Sequence, residues 1–485
     1  MKMNKLITFA AVAATICVSA ATAANLGDVQ VVDGTLTIDT AGEWVVDQDV
    51  SCTTLAITAD APVTFVNPSA SQTNTITVGT VTSVANANPV FNCKVQFSST
   101  YNVTAESPIT FAGGAKATVP GTVGGTYGQT LSGDIEFTSD WTLDSTGWIL
   151  TSGSRLKGRD MTGTSQTYKF TVEAGAYAHF TSVFTGTDAM RLSLNGEMDV
   201  DGLLKGGCYQ SGGYNGDIGT VNDVGLVRAA GLARTKQRGK DWTGVTYAYI
   251  PTYYLGAQGI SVTFYKKTNW GPLAFKATGG QTIHATASFT ASSTDAAETA
   301  IRLDTPLTLD TDGHDVTWNT ITGGSKALTK TGAGTLSLNA ANTYTGGTVV
   351  NAGTVRAAHA NGLGTGGVAV ETGATLAIAD DVALASSVTL AGGATLDFGS
   401  GAAVDPAYAI AGDGAATVKV AGDFSAMSAG ASVTLGALDA NVDVTSLVLD
   451  VSGLTLPKGM RARLRRDGDN LVLRITKSGF TLIVK

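Results

Sequence analysis

Residues 326–357 read KALTKTGAGTLSLNAANTYTGGTVVNAGTVRA, and this stretch decides the fold class. It contains two short alternating runs, Thr335-Leu336-Ser337-Leu338 and Thr348-Val349-Val350, and a third at Thr354-Val355-Arg356. Alternating apolar and hydroxyl residues places one row inward and one outward on a strand. Between the runs lie Gly332, Gly334, Gly346, Gly347 and Gly353, with Asn339, Asn342 and Asn351. Such clusters supply the tight corners, several of them at positive φ, that join short strands.

Working outward, the rhythm persists from Thr286 to about Leu438. Glycines at 334, 353, 373, 393 and 414 recur at steps of about twenty residues, and each precedes a strand of small residue, Thr and apolar residue. A fixed period of this length indicates stacked rungs rather than a sandwich. Toward the N-terminus, Leu36, Leu55 and Ile76 recur at similar steps in Thr-rich runs. Roughly twenty rungs at the ~4.8 Å strand spacing would make a rod on the order of 90–100 Å long.

Gly332, Gly334-Thr335-Leu336, Asn342, Tyr344, Gly346-Gly347-Thr348 and Gly353-Thr354, with Leu328 and Lys330, resemble the autotransporter-associated β-strand repeat of secreted bacterial passenger regions. The resemblance covers only these thirty or so residues. It implies an all-β, right-handed parallel β-helix (β-solenoid) in an exported protein, and it implies no chemistry. The chain departs from autotransporters beyond the repeats. Some forty residues remain there, where a membrane barrel needs many strands of about ten residues each.

The organisation expected is therefore a leader at 1–23, degenerate rungs at 24–205, a basic and aromatic insertion or irregular rungs at 206–280, regular rungs at 281–440, and a C-terminal hairpin cap at 441–485. Lys2 and Lys5, the apolar run Leu6–Ser19 and Ala21-Thr22-Ala23 read as a secretory signal peptide cleaved after Ala23. The expected location is secreted, extracellular or cell-surface, with the periplasm as the alternative. The apolar run is too short for a membrane helix, and no later segment is apolar enough for one. The formal charge is −8, with 14% charged residues and 60 glycines among 485. Mild acidity disfavours nucleic acid as a partner. The cap is expected from Arg465-Arg466-Asp467-Gly468-Asp469-Asn470, a turn between Met460–Leu464 and Leu471–Ile475, with a last strand at 480–484. It is strongly basic, and it reads either as cover for the last rung or as an address for an attachment machine.

Candidate binding residues lie in the basic, aromatic middle: Arg234, Arg238, Trp242, Tyr253, Tyr254 and Trp270. Rings that stack and cations that pair would suit a surface glycan or a protein. The structural alternative is an irregular rung whose aromatics cover the core. Cys52 and Cys93 could pair in an oxidising compartment or stay as buried thiols, with Cys208 left over. No cofactor or metal is expected, because the cysteine spacing does not resemble a zinc site and Asp310–Asp315 is only a fragment of a calcium loop. For catalysis the best candidates are Asp304, Asp310, Asp312 and Asp315, which as paired carboxylates would act on polysaccharide. Asp310–Asp315 also reads as a polar turn between two strands, Leu307–Leu309 and Val316–Trp318. The reading of the whole is a structural or adhesive rod that displays loops, with no catalysis. The alternative is a lyase or glycosidase using the Asp cluster.

Overall fold

The computed structural model describes residues 23–112, 115–117, 129–137, 141–143, 148–158, 161–163, 169–181, 184–185, 191–207, 218, 221–235, 245–263, 272–400, 403–404, 409–412 and 415–479. The expected leader up to residue 22, Cys208, Arg238, Trp242, Trp270, Gly414 and the strand expected at 480–484 lie outside them.

In the quoted stretch the strands are Leu328–Thr331, Thr335–Leu338, Thr348–Val350 and Thr354–Ala357. Each pairs in parallel with a strand one turn away. Leu336, Val355, Leu376, Leu396 and Val418 stand in register, and all five are fully buried. Burial of each such side chain contributes roughly 1.5–3 kcal/mol relative to exposure. No rung could hide its inner row alone, so the turns must stack. The corners demand glycine where the chain reverses closely. Gly334 has φ +87°, and a Cβ there would sit 2.2 Å from the His314 carbonyl oxygen.

One parallel column runs the length of the described chain, from Ala24–Asn25 on Gly42–Val45 to Ala409–Gly412 on Ser432–Leu438. The protein is thus an all-β parallel solenoid. Near the N-terminus its core is aromatic. Phe65, Phe91, Phe111 and Phe137 stack with centroids 4.6–5.0 Å apart and planes within 16°. Leu36 and Leu55 pair as the periodicity expects, but Leu55 then pairs with Val81, and Ile76 pairs with Val50. The strands Val50–Ile57 and Thr75–Ser83 each bend through a corner and serve two columns, so a single step count cannot follow them.

The middle of the chain is not set apart in its described residues. Glu197–Gly207, Leu226–Thr235 and Thr252–Val262 pair in succession, and the last passes the ladder to Gln281–Ala285. Beside them a second sheet of four strands is built from Thr246–Ala248, Leu273–Phe275, Thr299–Leu303 and Ile321–Gly324. This sheet ends where the repeat begins.

There the repeat's polar residues take over the pairing. Asn342 is buried, accepts from the Thr322 amide at 2.8 Å and donates to the Gly362 carbonyl at 2.6 Å, joining turns twenty residues before and after it. The Tyr344 hydroxyl lies 2.6 Å from Thr348 Oγ1, and that hydroxyl donates to the Leu363 carbonyl. Lys330 is wholly buried, with Nζ donating to the carbonyls of Thr331, Gly332 and Ala352 at 2.7–3.0 Å. Burial pushes its amine down to about 8.

The C-terminal cap is the expected antiparallel hairpin, Met460–Asp467 on Asn470–Lys477, turning at Gly468. Its inner strand lies antiparallel on Ser432–Leu438 and buries Leu471, Leu473 and Ile475. Arg466 ties it down by donating to the carbonyls of Leu438, Asp439 and Val442.

Candidate functional site

Stacking in register turns outward residues distant in sequence into vertical neighbours. On the outer face of the long sheet, Glu136, Lys157, His179, Asp199, Arg228, Tyr254, His284 and Asp310 occupy successive rungs of one ladder. Beside it runs a shorter ladder of Asp134, Arg155, Tyr177 and Glu197. The alternation that buries Leu156, Ala178 and Met198 forces their neighbours out to this face.

The ladder is cross-linked along its length. Lys157 Nζ lies 2.8 Å from Glu136. Arg155 stands 5.1 Å above the Tyr177 ring, whose hydroxyl donates to Asp199 at 2.8 Å. Burial and this acceptor raise the Tyr177 phenol to about 12, so it remains a donor at any physiological pH. Arg228 bridges Asp199 and Glu197 at 3.0 Å and lies over Tyr254. Its hydrogen bond to Asp199 strengthens its hold on the proton. Tyr254 stacks on His284 at 4.5 Å and 12°, and His284 Nδ1 lies 3.1 Å from Asp310. His179 pairs with Asp201 at 2.9 Å. Exposed pairs of this kind contribute only about 0–1 kcal/mol each. Their effect is to fix the orientation of side chains on a rigid face.

Two depressions open on this face, of about 520 and 330 Å³, and both are lined by Arg155 and Tyr177. Glu197, Asn195 and Val224 line the larger, and Glu136, Lys157 and His179 the smaller. Acids and bases alternate, so the surface offers donors, acceptors and ring faces without a large net charge.

Of the residues expected to bind, Tyr254 stands on the ladder. Tyr253 and Arg234 do not reach the surface, with 0% and 1% exposure. Tyr253 is one residue from Tyr254 on a strand and must point the opposite way. Arg234 is taken up by hydrogen bonds to Thr246 and the Thr263 carbonyl. Arg238, Trp242 and Trp270 lie outside the described residues.

The disulfide considered between Cys52 and Cys93 is absent, and both are free, buried thiols. Cys52 pairs with Val78 and Val78 with Phe97, while Cys93 immediately precedes the rung of Phe97. Two rungs, about 9–10 Å, separate them, beyond the reach of a disulfide. Burial raises the thiols to about 11 and about 12.

The aspartates are dispersed. Asp304 forms a bidentate pair with Arg302, Asp310 meets His284, Asp312 stands at φ +45°, and Asp315 accepts from the Thr335 amide. Asp312 and Asp315 lie in the connection between Leu307–Asp310 and Val316–Trp318, Asp310 ends the first of these strands, and Asp304 lies in the preceding corner after Thr299–Leu303, so the four do not wall one cleft. Among the described residues no group of three or more His, Cys, Asp or Glu could hold a metal ion. No described helix is long and apolar enough to cross a membrane.

Residues 328–357 match the family described as Passenger-associated-transport-repeat. That span holds Lys330, Asn342, Tyr344 and Thr348, all inside the solenoid, and none of the ladder. Comparison with curated proteins and with solved structures gives no match.

Proposed function

We propose that the chain is a secreted or surface-held β-helical rod with an adhesive role, and that it binds an extended glycan along the outer ladder. The observation that carries this reading is the pair of adjoining depressions that share Arg155 and Tyr177. A polymer of hydroxylated units needs many modest donors and acceptors at regular intervals, together with ring faces for its apolar edges. Rungs repeat at about 4.8 Å and offer such groups in a straight line. Alternating charge favours a neutral polyhydroxylated chain over a polyanion, which would meet Glu136, Glu197, Asp199 and Asp201. The passenger-type repeat supports export, and its polar residues support the rod.

A glycan array probed with the secreted chain and with Arg155→Ala/Tyr177→Ala tests the binding site. Loss of signal with an unchanged circular dichroism spectrum is expected. Equal binding by the variant places the site elsewhere. Fractionation of the producing cell, with mass spectrometry of the mature N-terminus, tests export. The expected product begins at Ala24 and lies outside the cytoplasm.

A further inference from the structure

The two ends of the rod carry opposite charge. From Ala24 to Cys93 the sequence holds Asp28, Asp33, Asp39, Glu43, Asp47, Asp49 and Asp60, and no Lys, Arg or His. All seven acids are exposed. At the other end, Lys458, Arg461, Arg463, Arg465, Arg474 and Lys477 are exposed, against Asp443, Asp467 and Asp469, with Asp450 half-buried.

The cap does not need these cations. Its apolar cover comes from Leu471, Leu473 and Ile475, and its tie to the last turn from Arg466. Arg463 stands directly opposite Arg474 across the antiparallel ladder, a placement that costs stability. Neither they nor Arg461 and Arg465 has an ion-pair partner among the described residues.

Both ends also leave strand edges unpaired among the described residues. Among the described residues, Met460–Asp467 pairs only with the other hairpin strand, and Val448–Asp450 only with Thr417–Lys419. Ala24–Asn25 likewise pairs only with Gly42–Val45. Exposed valines mark each end, Val31 and Val32 at 42% and 63%, and Val448 and Val451 at 50% and 42%. Unpaired edges and apolar side chains at a terminus invite association. Charge then decides which association. Two acidic ends repel, two basic ends repel, and only a basic end on an acidic end is attractive.

We propose that the chain assembles end to end, the cationic C-terminal hairpin of one copy seated on the acidic first turns of the next. Such a contact is heterologous, and because it joins opposite ends of a rod it propagates along the rod axis. Glu43, on Gly42–Val45 beside the terminal strand Ala24–Asn25, would meet the arginines of the outermost hairpin strand, continuing the outer face from one copy to the next.

Sedimentation velocity on the secreted chain tests this directly. Species larger than a monomer should grow with protein concentration, and raising salt from about 0.05 to 0.5 M should weaken association about tenfold or more. Arg461→Glu/Arg463→Glu/Arg465→Glu and Asp28→Lys/Asp39→Lys/Glu43→Lys should each be monomeric with unchanged circular dichroism. Mixed together they should assemble again, because each then offers the end the other lacks. A wild-type chain that stays monomeric at low salt overturns the proposal. So does assembly that survives in either variant alone, or a mixture that stays monomeric. Wild-type monomers whose hairpin binds heparin, with binding lost in the arginine variant, would assign the surface to an anionic polymer instead.

Discussion

Replacing Asn342 with alanine isolates what the passenger-type repeat contributes. Its carboxamide satisfies the Thr322 amide on one neighbouring turn and the Gly362 carbonyl on the other, at 2.8 and 2.6 Å, from a position 1% exposed. Alanine leaves both groups buried and unpaired. Each such group costs about 1–3 kcal/mol, so the local loss is about 2–4 kcal/mol when partial relaxation is allowed. Because a solenoid opens locally, the proper readout is hydrogen exchange by mass spectrometry across Ile321–Gly324 and Thr348–Val350. Protection there should fall about 30- to 1000-fold, at 1.4 kcal/mol per factor of ten. Asn339→Ala is the control, since Asn339 is exposed and its carboxamide reaches only one neighbouring turn, at Asn319, where water can replace the bond. A change in Asn342→Ala no larger than in the control would refute the assignment of Asn342 as a clip between turns.

The interior gives three further expected outcomes. With pKa values raised to about 11 and 12 by burial, Cys52 and Cys93 should react with a thiol reagent at pH 7 only after unfolding, and prompt labelling of the native chain would contradict their placement. Lys330 has its amine lowered to about 8 when folded, from 10.5. Between those values the unfolded chain binds more protons, so stability should rise with pH across that window and be lost again as pH falls through 8. Lys330→Met should flatten this dependence in urea titrations run at pH 7.5 and 10. Phe91→Leu removes two ring stacks and should cost about 1–3 kcal/mol, read as faster exchange in Val63–Val66 and Ile109–Phe111. An unaltered rate would mean that the stack is incidental.

The rungs were legible because their corners carry a chemical mark. Gly334, Gly353, Gly373 and Gly393 all adopt positive φ, and the strands after them stack as the twenty-residue steps require. The mark fails near Ile76, where one strand bends through two columns and the step no longer reports a vertical neighbour. The turn at Gly468 was equally legible, since Asp-Gly between alternating runs leaves the backbone few choices. The ladder was not legible. Its contacts join residues 22, 29 and 26 apart, as in Tyr177–Asp199, Asp199–Arg228 and His284–Asp310, and no fixed period links them. Grouping Tyr253 with Tyr254 failed for a simpler reason, because adjacent residues of a strand face opposite ways. The basic, aromatic composition of 206–280 left an insertion or irregular rungs open, and the described residues there pair along the same columns, with Arg234 and Tyr253 drawn into the core.

In the described residues one stack passes through the compositionally odd middle without a break. Small-angle scattering from the monomeric hairpin variant measures this most directly. One continuous solenoid at about 4.8 Å per turn predicts a rod-like distance distribution with a single tail reaching on the order of 90–100 Å. A maximum dimension well short of that, or a distribution with two separated peaks, would mean that the chain folds as distinct bodies and would contradict the account.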